Sequence, residues 1–345
     1  MASDSDTDVE WPEEARSYEK ERKLYSGSFA TVRLVHVRGA VQQKAALKIV
    51  TLTGFYDGNW WRSEIRALQQ LDHPNIVKCY ASFTDRNAQK RQRLLLVLEY
   101  ANRGTLERHI THTYFTKQRR LPEARIWRFF AQIATAIAHV HEKRILHRDL
   151  KPAHVLLHGP QLTVKVCDFA FCRFFSQNTV RDITQVGTPY YRCPERVTRS
   201  DYSFASDVWS MGCILYEMAC GGSPFVAERS NEFALNLRIQ AADFPPLPDH
   251  EQRTPHLKLL VRLCLQVDPG RRPTAAQAQR FADKMVASFS DTAAHLLRGA
   301  SRACGYLDAV YRALHCDFAR VWCEEYELMC ADRCSFTSAA LDDRE

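Results

Sequence analysis

No stretch of this 345-residue chain approaches about twenty uninterrupted apolar residues, so a helix crossing a membrane is not expected. Residues 1–14 are acidic rather than basic and then apolar, so a secretory signal is not expected either, and the chain reads as intracellular and cytoplasmic. Long basic runs are also missing. Lysine and arginine total 47 against 40 aspartates and glutamates, a formal net charge of +7 in which arginine outnumbers lysine, and this diffuse surplus gives no expectation of nucleic-acid binding. The twelve cysteines stand mostly singly in apolar segments, as at Cys79, Cys167, Cys213 and Cys264, which is the pattern of small core residues with reduced thiols rather than disulfides. What is present is ordinary for a globular protein: 46% hydrophobic and 25% charged residues, on a length that fits two lobes or one domain with extensions.

The chain is organised around residues 147–173. His147, Arg148, Asp149, Leu150, Lys151, Pro152, Ala153 and His154 are followed by Asp168, Phe169 and Ala170. Between the two aspartates, Val155 to Leu157 reads as a strand and Leu162, Val164 and Val166 alternate as a second, with His158 to Gln161 as the turn. Such a hairpin brings Asp149 and Asp168 to one edge. Upstream, Lys48 sits in the apolar run Ala45 to Val50, where an ammonium is costly to bury unless it meets an anion. Trp61, Ile65, Leu68 and Leu71 have helical spacing over Trp60–Leu71, with Glu64 on the same helix, and Asp72 to Val77 stops it and starts a strand. Ile76–Phe83 and Leu94–Glu99 read as strands joined by a polar loop in which Lys90, Arg91 and Arg93 are expected to be solvated. Pro122–Lys143 predicts a helix whose apolar stripe is Ile126, Phe130, Ile133, Ile137 and Val140.

These motifs resemble those of the protein kinases. Val186 to Tyr191 and Ser206 to Cys213 narrow the resemblance to the NIMA-related serine/threonine kinases, over about Tyr18 to Ala287. The resemblance implies an α+β bilobal kinase fold, with a small β-rich lobe at 18–98, a hinge at 99–103 and a larger helical lobe at 104–287; outside it, composition predicts an acidic tail at 1–17 and residue spacing a helical extension at 288–345. It implies transfer of the ATP γ-phosphate to serine or threonine hydroxyls of a protein substrate. Asp149 would accept the hydroxyl proton, Lys151 would support the transferred group, and Lys48 held by Glu64 would position the phosphates. The nucleotide would lie against Leu24, Gly27, Val32, Ala46, Glu99, Ala101 and Leu156. Asp168 and His154 would hold the metal. Thr184 would be the activating phosphosite, pairing with Arg148 and Arg173, and Thr188 would brace the catalytic aspartate. Glu195 would pair with Arg272 as a structural ion pair.

Four positions depart from the family pattern. Tyr25 and Ala30 replace two glycines of the phosphate-covering loop, Ala170 replaces the glycine of the metal turn, and His154 replaces an asparagine that helps bind a second metal ion. An imidazole ligand is accepted poorly by Mg2+ and better by Mn2+, so a Mn2+ preference is expected. The departures support an alternative, a pseudokinase that binds nucleotide as a scaffold without transferring phosphate. Phosphorylation of a small molecule is disfavoured by the Gly187 to Tyr191 run, which in kinases shapes a peptide surface. In the extension, Cys316, Cys323 and Cys330 recur every seven residues with Cys334 one turn on, beside His315, but without the close cysteine pairs of structural zinc sites. The apolar stripe Leu307, Val310, Leu314, Phe318 and Val321 is expected to pack on the kinase domain or to form a homodimer or partner contact. A cytoskeletal or basal-body association is family analogy only.

Overall fold

The computed structural model describes residues 18–27, 30–37, 44–51, 60–86, 92–175, 189–198, 202–225, 231–247 and 253–296. The acidic stretch 1–17, Thr184, Thr188 and the segment 297–345 with its cysteines lie outside the described residues. The described residues form two compact units, those up to Leu106 together with those in His139–Thr179, and those in Glu107–Ala138 together with those from Val180 on.

The first unit is built on an antiparallel sheet of β1 (Tyr18–Ser26), β2 (Ala30–Val37), β3 (Lys44–Thr51), β4 (Cys79–Arg86) and β5 (Gln92–Glu99), in the order β1-β2-β3-β5-β4. Side chains alternate across such a sheet. Val35, Ala45, Leu47, Leu95 and Val97 are fully buried on one face, with Tyr18, Ile49, Ala81 and Phe83 packed on them. The residues between them in β3, Ala46, Lys48 and Val50, therefore belong to the other face. Helix α1 (Trp60–Gln70) follows β3, and Ala67 and Leu68 on it are buried. Arg93 is not in a solvated loop as expected. It lies in β5, 5% exposed, and its guanidinium forms a two-pronged pair with the Asp85 carboxylate across the β4–β5 ladder.

The expected division at 99–103 is crossed by hydrogen bonds. Residues 139–179 join the sheet unit because Val77 N donates to Val166 O, Val166 N to Asn75 O and Leu157 N to Gly104 O. Within this stretch β6 (Ile145–Leu146) pairs with β9 (Arg173–Phe174), and β7 (Val155–His158) pairs with β8 (Thr163–Val166) in the expected hairpin. Leu162 is the exception. It leaves the alternation because it has φ +55° in a tight turn that also uses Gly159 at φ +67°.

The second unit is helical: α2 (Leu106–Thr111, of which Leu106 belongs to the first unit), α3 (Glu123–Glu142, here up to Ala138), α4 (Pro194–Val197), α5 (Phe204–Cys220), α6 (Glu232–Ala241), α7 (Pro255–Cys264) and α8 (Ala275–Leu296). Ile126, Phe130, Ile133 and Ile137 are fully buried as the stripe predicts, and Trp127 joins them. Helix α5 lies close to α7, since a Cβ on Gly212 would come within 2.6 Å of Cys264 Cβ. Glu195 and Arg272 form the expected buried pair, with two parallel N–H···O bonds of 2.8 Å. Helix α8 runs through Ala287 without a break, so the expected boundary there falls inside a helix.

Candidate active site

Lys48 lies in the middle of the sheet, opposite Val32 on β2 and Leu96 on β5. Its ammonium is 2.7 Å from Glu64 Oε1 on α1 and 2.7 Å from Asp168 Oδ1 after β8. Three distant segments meet at one cation. Burial alone would strip Lys48 of its proton, but the charges of Glu64 and Asp168 overcome it and hold its pKa above the usual lysine range. Asp168 shows the converse. Burial pushes its pKa up, and Lys48 and His154 pull it well below the usual carboxylate range. Glu64 is buried deepest, and desolvation raises its pKa against the opposing pull of Lys48, with the neighbouring Asp168 charge adding to the rise. Its second oxygen, Oε2, is buried without a hydrogen-bond partner among the described residues.

The loop from His147 to His154 is held by its own side chains. His147 is fully buried, and its Nδ1 accepts from Asp149 N at 3.4 Å. In that tautomer Nε2–H donates to Cys167 O at 3.1 Å, and the ring lies 4.9 Å from that of Phe169. One imidazole thus ties the backbone at Asp149 to the backbone before Asp168. Lys151 Nζ donates to Asp149 Oδ2 at 3.1 Å. Arg148 and Asp168 both have left-handed backbone, φ +70° and +66°. Such non-glycine conformations cost on the order of 1–3 kcal/mol each and persist where surrounding bonds enforce them. Ala170 is buried and is not among the residues of positive φ, so this form of the metal turn does not need the freedom of glycine.

His154 joins the two aspartates. Nδ1 is 2.7 Å from the Asp149 carbonyl oxygen and Nε2 is 3.1 Å from Asp168 Oδ2. A cation held by His154 would have to bind at Nε2, beside Asp168 Oδ2. Burial lowers the His154 pKa first of all, while Asp168 and Asp149 pull it up and Lys151 pulls it down.

The residues expected to line the nucleotide belong to the same unit. Val32 and Ala46 share the Lys48 face of the sheet through the pairs Val32↔Lys48 and Leu34↔Ala46, and Leu24, Val32, Ala46 and Leu156 are all half-buried. Glu99 donates its N–H to Lys78 O, and its carboxylate is taken by Lys165 at 2.7 Å, so a hinge role falls to its remaining main-chain group and to Ala101. At the β1–β2 tip Gly27 N donates to Ala30 O at 2.9 Å. The Tyr25 side chain lies across Gly27: a Cβ there would meet Tyr25 Oη at 2.5 Å. Gly27 thus supplies room for the tyrosine that stands at a usual glycine position.

Of the expected site residues, Lys48, Glu64, Asp168, His154, Asp149 and Lys151 form one connected network. Arg148 and Arg173 are described without Thr184. The positioning role of His147 was not read from its motif, although its place between an apolar strand and Arg148 was a signal that the ring is buried.

The family profile of the protein kinase domain matches residues 18–282. The chain belongs to the protein kinase family, in its NIMA-related branch. It is 33% identical over 267 residues to the human serine/threonine-protein kinase Nek11, covering 76% of this chain and 40% of that protein. With nekl-2 of Caenorhabditis elegans it shares 32% over 268 residues, covering 76% and 72%, and with Nek8 of Danio rerio 38% over 212 residues, covering 61% and 29%. The match to Nek11 thus spans less than half of that relative's length. The α+β kinase fold, with a β-rich N-lobe sheet and a helical C-lobe, is the architecture described above. The site of this kinase fits the groups its family uses. Asp168 is the solvent-facing acid of the Lys48 cluster, its side chain 29% exposed against 1% for Glu64, so it is the carboxylate a divalent cation can reach. Lys48 offers a permanent positive charge to phosphate, beside a half-buried apolar sheet face suited to a flat base.

Proposed function

We propose that this chain is a serine/threonine protein kinase that uses ATP and a divalent cation, Mg2+ or Mn2+, to phosphorylate a protein substrate. The observation that carries this is the connected set Glu64–Lys48–Asp168–His154–Asp149–Lys151, which brings together the lysine and the two aspartates the reaction needs. Bound nucleotide and cation would supply the phosphoryl group and neutralise its charge. Lys48, kept charged and oriented by Glu64, binds phosphate oxygens. Asp168 holds the cation. Asp149 faces the incoming hydroxyl, orients it and accepts its proton, and Lys151 shields the negative charge that gathers beside Asp149. Thr184 is the proposed phosphosite that would order the activation segment through Arg148 and Arg173, and Thr188 is proposed to brace Asp149. A cytoplasmic location and a partner contact through 288–345 are part of the same proposal.

The second reading, a scaffold that binds nucleotide without transfer, draws on Tyr25, Ala30, Ala170 and His154. The two part in one experiment. Purified protein is incubated with ATP, a generic protein substrate and Mg2+ or Mn2+, and phosphoamino acids are identified. Phosphoserine or phosphothreonine, lost in Asp149→Asn, is the expected result. No transfer in either metal, even in His154→Asn combined with Ala170→Gly, favours the scaffold.

A further inference from the structure

The Tyr25 side chain is 61% exposed, and the register of the sheet fixes the face it stands on. Tyr25 pairs with Val32, Val32 with Lys48 and Lys48 with Leu96, so one row of directly opposed residues crosses four strands. Residues opposed in this way project from the same face of a sheet. Val35, Ala45, Leu47, Leu95 and Val97 fill the other face. Tyr25 therefore belongs to the face that carries Lys48, two strand spacings or about 10 Å away across the sheet.

The ring folds along its strand toward the hairpin tip. Residues two apart share a face, and a Cβ on Gly27 would come within 2.5 Å of Tyr25 Oη and 2.9 Å of Tyr25 Cε1. The phenol thus rests on the bare backbone of Gly27. That backbone has no donor to offer, because the Gly27 N–H is spent on Ala30 O at 2.9 Å. A phenol carries an O–H donor, and Tyr25 Oη has no hydrogen-bond partner among the described residues. A side-chain donor stands where the backbone donor is used up.

We infer that Tyr25 is a nucleotide-binding residue whose phenol O–H donates to a phosphate oxygen of the bound nucleotide, sharing the phosphate chain with Lys48. The inference rests on the ATP-binding reading above and adds a residue to it. It also changes the meaning of Tyr25, from a lost glycine that weakens the phosphate-covering loop to a replacement that supplies a donor there.

The test reads affinity rather than turnover. Dissociation constants of ADP with Mg2+ and of adenosine are measured by isothermal titration calorimetry on the full-length wild type and on Tyr25→Phe. The variant keeps the ring over Gly27 and removes the hydroxyl alone, and melting temperatures of the two proteins check that the fold is kept. Loss of one hydrogen bond to a charged acceptor weakens binding by about tenfold or more. ADP is expected to bind Tyr25→Phe more weakly by that factor, and adenosine to bind both proteins alike. Equal ADP affinity in the two proteins overturns the inference. So does a parallel weakening of ADP and adenosine, because the hydroxyl then acts on the nucleoside and not on phosphate. Failure of the wild type to bind ADP at all defeats the ATP-binding reading itself, and the inference with it.

Discussion

The guanidinium carbon of Arg66 lies 4.1 Å from the centre of the Phe174 ring. Arg66 is on α1, two residues past Glu64, and Phe174 is in β9, beyond the metal turn. Cys172 Sγ also points at Ser63 O, at 3.5 Å. Helix α1 is thus held against the strand that follows Asp168, and Glu64 is held with it against Lys48. A cation–π contact of this kind is worth roughly 0.5–2 kcal/mol. Phe174→Leu is expected to raise the KM for ATP and lower kcat/KM by about threefold to tenfold, while Phe174→Tyr keeps both near wild type. Steady-state kinetics on the three proteins checks this, and unchanged kinetics in Phe174→Leu would remove the link.

Tyr191 Oη donates to Glu217 Oε2 at 2.7 Å in the helical unit. Burial pushes the Glu217 pKa up to about 7, with the Tyr191 bond opposing and Glu107 adding to the rise. A carboxyl whose folded pKa exceeds its unfolded one binds more protons when folded, so its contribution to stability is full at low pH and is lost as pH rises from about 4.5 through about 7. The loss amounts to about 3 kcal/mol for a shift of this size. Urea denaturation between about pH 5 and pH 7.5 is expected to show the wild type losing stability relative to Glu217→Gln as pH rises.

Arg272 is the partner of Glu195 through two 2.8 Å bonds, and it also donates to Gln266 O and Ala205 O while lying 5.0 Å over Trp209. Removing one partner of such a buried pair strands the other charge and costs about 3–5 kcal/mol. Arg272→Met should lower the melting temperature sharply. Arg272→Lys should recover only part of the loss, because a lysine supplies no planar fork for two parallel bonds. A melting temperature restored fully by lysine would show that charge alone matters here.

Much of the site was legible because its residue types are costly elsewhere. A lysine inside an apolar strand calls for an anion, and the resemblance to the protein kinases named Glu64 as the residue that holds it and Asp149 and Asp168 as the acids of the same cleft. The hairpin and the α3 stripe were legible because periodicity and burial agree. Arg93 was misread because charge in sequence looks like solvent, whereas its partner Asp85 comes opposite only when β4 and β5 pair. Leu162 continued an apolar alternation that the turn geometry interrupts. His154 was read as a metal ligand from its chemistry, and its link to Asp168 depends on a loop geometry that residue type does not encode.

The most direct measurement is transfer of labelled γ-phosphate from ATP to a protein substrate by the wild type and by Asp149→Asn, with nucleotide affinity measured on both. Asp149→Asn should bind nucleotide as the wild type does and lose on the order of 10²–10⁴ in turnover, the usual share of a positioned general base. Equal turnover by the two proteins would contradict the account, since the proton would then leave by a route that does not use Asp149.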